Sequence, residues 1–109
     1  MLKPILDNLI KERILLAILI RKEVYARDIA SIFNAYLLSV QNQLKKLEKG
    51  GVVVSQKKGK TRLYSFNPRY PFLKELKNLL SRSLQFMPKA EKEKYYTPRL
   101  RPRRAGKPL

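Results

Sequence analysis

The stretch from Tyr25 to Phe66 constrains the fold more than any other part of the chain, because its apolar periodicity changes twice. In Ala26–Phe33 the apolar residues Ile29, Ala30 and Phe33 recur at helical spacing. Asn34-Ala35 then interrupts the pattern with a residue type that tolerates left-handed backbone. A second helical stripe follows, with Val40, Leu44 and Leu47 at i, i+4 and i+7. Gly50-Gly51 ends it, since glycine accepts positive φ without a Cβ clash. Beyond the glycines the composition becomes β-branched and aromatic in Val52–Gln56 and Thr61–Phe66, with Lys57-Lys58-Gly59-Lys60 as the turn of a hairpin. Val52, Val54, Tyr64 and Phe66 are expected to form the hairpin face that packs on the helices.

The second helix buries one narrow stripe and leaves Leu38, Ser39, Gln41, Asn42 and Lys45 facing elsewhere. Gln and Asn can bond adenine at two points, and Lys reaches guanine or phosphate, so this face suits the major groove. The alternative is a polar solvent face. Lys57, Lys58, Lys60 and Arg62 give the hairpin a basic tip, suited to holding a phosphate backbone and setting register. Arg27, near the start of the first helix, reads either as a phosphate contact or as a solvated charge. Asp28 beside it suits the positive end of the helix dipole.

Taken together, DIA in the first helix, VQNQLKKLEKGGVV across the second and the basic GKTRLYSF hairpin resemble the winged helix-turn-helix of bacterial and archaeal transcription regulators, in particular ArsR/MarR-like domains. The continuation NPRYPFLKEL is similar to winged helices found with nucleotidyltransferases in prokaryotes. The resemblance covers roughly Lys11 to Leu80. It implies a DNA-binding domain whose second motif helix enters the major groove while the wing follows the backbone, and it implies a dimer. Relatives usually open the second helix with Ser or Thr as N-cap. Here that place falls on Tyr36, followed by Leu37-Leu38, which suit either thymine methyl groups or a protein partner.

Charge points the same way. Twenty-five Lys and Arg against eight Asp and Glu give 109 residues a formal net charge of +17, a strong self-repulsion that a polyanion relieves. Nucleic acid is the usual polyanion. The longest apolar run, Ile14–Ile20, is bracketed by Arg13 and Arg21 and falls far short of the ~20 residues that span a bilayer. No cysteine or histidine is present, so there are no disulfides and no thiolate or imidazole metal ligands. The resemblance to ArsR-like proteins therefore does not extend to their metal sensing, and no cofactor is expected. The N-terminal residues lack the order of a signal peptide, so a cytoplasmic address is expected. Catalysis is disfavoured: the carboxylates show no paired spacing beyond a Glu-Lys-Glu run, and no phosphate-binding glycine loop or nucleophile motif appears.

The remaining segments complete a mainly α fold with a small β-hairpin. Met1–Asn8, with Pro4, reads as a lead-in helix or an arm. Ile10–Arg21 reads as a helix whose apolar face is wide enough for two partners, within the chain or across a dimer. Val24-Tyr25 suits a short strand against the hairpin. The proline-stiffened Asn67–Pro71 leads to a packing helix over Phe72–Leu84, with Phe72, Leu73, Leu76, Leu79 and Leu80 as its stripe. Residues 1–86 are thus expected to form the winged domain. Residues 87–109, with Pro88, Pro98, Pro102 and Pro108 and an acid-free run of Arg99, Arg101, Arg103, Arg104 and Lys107, are expected to form a flexible basic tail.

The function these features favour is a DNA-binding transcriptional regulator, acting on double-stranded DNA as a homodimer. The alternatives are a winged-helix interaction module or antitoxin-like partner of a nucleotidyltransferase or toxin, or a general nucleic-acid-binding protein.

Overall fold

The computed structural model describes residues 1–97. The elements run α1 (Lys3–Leu6), α2 (Leu9–Arg21), β1 (Glu23–Tyr25), α3 (Ala26–Phe33), α4 (Leu37–Lys49), β2 (Val53–Lys58), β3 (Thr61–Phe66), α5 (Leu73–Gln85) and α6 (Lys89–Tyr95). At the centre is α2, where Ile14, Leu15, Leu16, Ala17 and Ile18 are each no more than 2% exposed. A helix buried on this many sides needs several neighbours, and it has them in α1, α4 and α5. It begins on a built cap: the Asn8 side chain accepts from the Lys11 N–H at 2.9 Å. It ends at Lys22, which turns with φ 74° into β1.

The helix-turn-helix follows from local signals. Asn34 sits in left-handed backbone at φ 52°, and the Ala35 N–H returns to the Ala30 carbonyl at 2.9 Å. Val40 and Leu44 of α4 are fully buried and Leu47 nearly so, which fixes the rotation of α4 about its own axis. At its end Gly51 adopts φ 81°, and the Val52 N–H bonds the Leu47 carbonyl at 2.9 Å. The chain then enters a three-stranded antiparallel sheet of order β1-β3-β2. Val24 of β1 faces Tyr64 across the β1–β3 pair, as the expected short strand requires.

Three expectations need correcting. In β2 the inward residue is Val53, 1% exposed, while Val54 is 39% exposed. Val53 pairs with Phe66 and Ser55 with Tyr64, so these four share the face toward the helices and Val54 lies on the other. Val52 is spent in closing α4, which delays the strand by one residue. Second, β2 runs on through Lys58, and the turn shrinks to Gly59-Lys60. Gly59 at φ 63° takes the first central position, as in a type II′ hairpin. Third, a flexible tail from Met87 does not hold for residues 87–97. Pro88 introduces a helix instead of breaking one, and Tyr96 beyond it is only 5% exposed. Lys-Ala-Glu-Lys-Glu-Lys are good helix formers, and the burial of Tyr95 and Tyr96 supplies the driving force. The remainder of the expected tail, residues 98–109, lies outside the described residues.

This C-terminal segment is held by aromatic contacts. The Phe33 ring stacks on Tyr95 at 4.9 Å and tilts against Tyr96 at 5.7 Å, while the Arg13 guanidinium lies 4.8 Å from the Phe33 centroid. Arg21 donates to the Tyr95 and Thr97 carbonyls at 3.4 and 3.3 Å. The stripe of α5 splits between two faces: Leu80, Ser83 and Leu84 are buried, whereas Phe72, Leu79 and Phe86 stand out at 63%, 37% and 61% exposure. Among the described residues no helix is long and apolar enough to cross a membrane.

Candidate nucleic-acid interface

Because Val40, Leu44 and Leu47 face the core, the opposite side of α4 is fixed without further choice. Leu38, Asn42 and Lys45 lie one turn apart along it and are all exposed. On one flank, Gln41 and Lys45 join Arg27 at the start of α3 and Lys60, Thr61 and Arg62 of the hairpin in a concavity of about 300 Å³. Tyr25, Leu37 and Tyr64 form part of its wall. On the other flank, Ser39, Asn42 and Lys45 line a second concavity of about 380 Å³ with Asn8 and Ile10 at the start of α2. Lys45 borders both. The ridge of α4 therefore stands between two hollows, and Leu38 projects at its beginning with 66% of its surface exposed.

The hairpin is tied to α4 by a short relay. The Ser55 hydroxyl donates to Glu48 Oε2 at 2.7 Å, and Arg62 Nη1 donates to Ser55 Oγ at 3.2 Å. Glu48 Oε2 is thereby engaged within the protein, linked through the Ser55 hydroxyl to the Arg62 guanidinium. Burial pushes the Tyr64 phenol above its usual value, Glu48 adds to the shift and Arg62 opposes it. Tyr64 thus enters the wall as a neutral hydroxyl. At the tip, the Thr61 hydroxyl donates to the Lys58 carbonyl at 3.0 Å and closes the turn.

Of the residues expected from the sequence, Arg27, Gln41, Lys45, Lys60 and Arg62 are brought together in the first concavity, and Ser39 and Asn42 in the second. Lys57 and Lys58 line neither. Lys57 pairs with Arg62 across the hairpin and Lys58 with Thr61, so both extend the cationic edge of the wing. Sequence reasoning missed Thr61, Tyr25 and the Glu48–Ser55–Arg62 relay. No sequence signal marks the relay, because its spacing depends on how far along α4 the hairpin folds back. Among the described residues no group of His, Cys, Asp and Glu is placed to hold a metal ion.

No protein-family model and no curated protein matches the sequence. Among solved structures the fold is similar to a MarR-family transcriptional regulator from Rhodococcus sp. RHA1, with TM-score 0.57 and 17% identity over 84% of this chain and 71% of that one. It is also similar to the adhesin competence repressor AdcR from Streptococcus pyogenes, with TM-score 0.52 and 19% identity over 84% and 80% of the two chains. These likenesses establish the fold as a winged helix-turn-helix of the kind seen in MarR-type regulators.

Proposed function

We propose that this protein is a DNA-binding transcriptional regulator that lays α4 in the major groove and the β2–β3 hairpin along the adjoining backbone. The observation that carries this reading is the convergence of Arg27, Gln41, Lys45, Lys60 and Arg62 on one concavity beside the exposed ridge of α4. Two amide-bearing side chains, Gln41 and Asn42, supply base-edge chemistry, and the surrounding cations supply phosphate contacts that set position. Ser39, Lys57 and Lys58 add polar and cationic contacts at the margins. Leu38 is the apolar member of the set.

The second element of the proposal is a homodimer reading an inverted repeat. The exposed Phe72 at the N-cap of α5, Leu79 within it and Phe86 at its C-cap are spaced seven residues apart, and in the proposed dimer they act as one outward apolar face. Two copies joined there would present two α4 helices to half-sites about 34 Å apart, one helical turn of DNA.

Selection of bound fragments from genomic DNA, followed by gel shifts, tests the reading. The Gln41→Ala, Asn42→Ala double variant is expected to bind the selected duplex at least tenfold more weakly than wild type and to approach its affinity for random DNA. Unaltered specific binding by this variant would place recognition on another face.

A further inference from the structure

The first turn of α4 breaks a local rule without recovering anything inside the protein. Tyr36 occupies the N-cap with φ −67° and ψ 131°, the extended backbone from which Ser, Thr, Asn or Asp would bond the first turn, yet it makes no side-chain cap hydrogen bond. Its ring does not pack inward either: Tyr36 is 85% exposed, and Leu38, two residues on, is 66% exposed. Leu37 between them turns toward the concavity shared with Gln41 and Arg27. A position that gives up a cap and shows solvent a phenol and an isobutyl group is the kind of local inconsistency that function accounts for.

We infer that the exposed Leu38, and separately Tyr36 at the turn before it, meet the 5-methyl groups of thymine in the major groove; the inference rests on the DNA-binding reading above and names what the start of α4 recognises. Methyl groups are the only apolar feature that base pairs present in that groove. Leu38 begins the same outward ridge as Asn42 and Lys45. The four-residue step from Leu38 to Asn42 is about 6 Å along the helix, against 3.4 Å per base pair. With α4 parallel to the duplex axis, the methyls met by Leu38 would lie about two base pairs from the bases met by Asn42. Charge decides against an apolar protein partner. The nearby Arg27, Lys45, Lys60 and Arg62 suit a phosphate-lined groove, and two isolated apolar side chains make too small a patch for a stable protein interface.

The test replaces thymine by deoxyuridine, one position at a time, in a duplex selected by the wild-type protein. The change removes the methyl and keeps every hydrogen-bonding group. Wild type is expected to lose about fourfold in affinity per contacted methyl, the equivalent of one buried methylene, at one or two positions of each half-site. Leu38→Ala is expected to bind the thymine duplex as weakly as wild type binds the uracil duplex, and to be indifferent to the replacement. Its melting curve should match wild type, since the side chain is exposed.

Equal wild-type affinity for thymine and uracil at every position would overturn the inference while leaving DNA binding intact. So would a Leu38→Ala protein that keeps the full uracil penalty, or one whose only change is in oligomeric state, which would point to a protein contact. Failure of wild type to bind any duplex would overturn the DNA-binding reading itself, and this inference with it.

Discussion

At the scale of single residues, the interface is governed by where α4 spends its hydrogen-bonding groups. Tyr36 leaves the N-cap unfilled, so Tyr36→Ser should add about 1 kcal/mol of stability, visible as a rise of several degrees in a thermal melt, while DNA affinity falls. A gain in stability bought with function is the usual signature of a residue kept for its surface. The relay from Glu48 through Ser55 to Arg62 makes the opposite prediction. Ser55→Ala removes both hydrogen bonds and should cost about 1 kcal/mol in denaturant unfolding. A double-mutant cycle with Glu48→Ala should show coupling of similar size, because the two side chains act as one unit. The sequence displays Gln41, Asn42 and Lys45 as an outward set because their spacing against Val40, Leu44 and Leu47 is purely local. It does not display the relay, since Ser55 meets Glu48 only after Val52 has closed the helix and shifted the strand by one residue.

At the scale of elements, α6 shows how a segment that looks unable to pack is recruited by a neighbour. Residues 87–97 have no apolar periodicity of their own, and the two adjacent tyrosines carry the attachment by closing over Phe33. Phe33 belongs to the first motif helix, so the C-terminal segment braces α3 just ahead of the turn that leads to α4. Tyr96→Ala should therefore destabilise the whole domain by about 3 kcal/mol, as other buried aromatic truncations do, with hydrogen exchange accelerating in α3 as well as α6. Burial pushes the Tyr96 phenol well above its usual 10.0, and Arg13 only partly opposes the shift. A group whose folded value is raised holds its proton more tightly when folded. Its contribution is fully present below about pH 10 and is lost as pH rises toward the folded value. Stability should thus fall above pH 10, and Tyr96→Phe should flatten that decline while keeping the ring. The two motif helices, the left-handed Asn34 and the glycine stop were all legible beforehand, since each depends on residues within a turn or two. The partner of Tyr96 was not, because Phe33 lies some sixty residues earlier in the chain.

At the scale of the whole molecule, charge and symmetry set the behaviour. If six phosphates are neutralised by cations such as Arg27, Lys45, Lys57, Lys60 and Arg62, log affinity should fall with log salt at a slope of about −5, and each Lys→Ala change among the contacting residues should reduce that slope by about 1. Net charge was readable from composition, but its concentration beside α4 required the hairpin to fold back. The outward face of α5 raises the remaining question of assembly. Phe72, Leu79 and Phe86 span about 21 Å of helix and lie outside the core that Leu80 and Leu84 join. Sequence periodicity alone merged the two faces, because Leu79 and Leu80 are neighbours and either could have been the inner one. In the proposed homodimer this face would meet its counterpart on a second copy, the apolar contact outweighing the repulsion between charges held elsewhere. Sedimentation should give a dimer at micromolar concentration for wild type and a folded monomer for Leu79→Glu, whose new charge would have to be buried in the pair. The monomeric variant should bind a single half-site as wild type does yet lose the added affinity for two half-sites. A wild-type protein that sediments as a monomer and binds a full inverted repeat no better than one half would remove the dimer from the proposal and leave the α4 interface standing on its own.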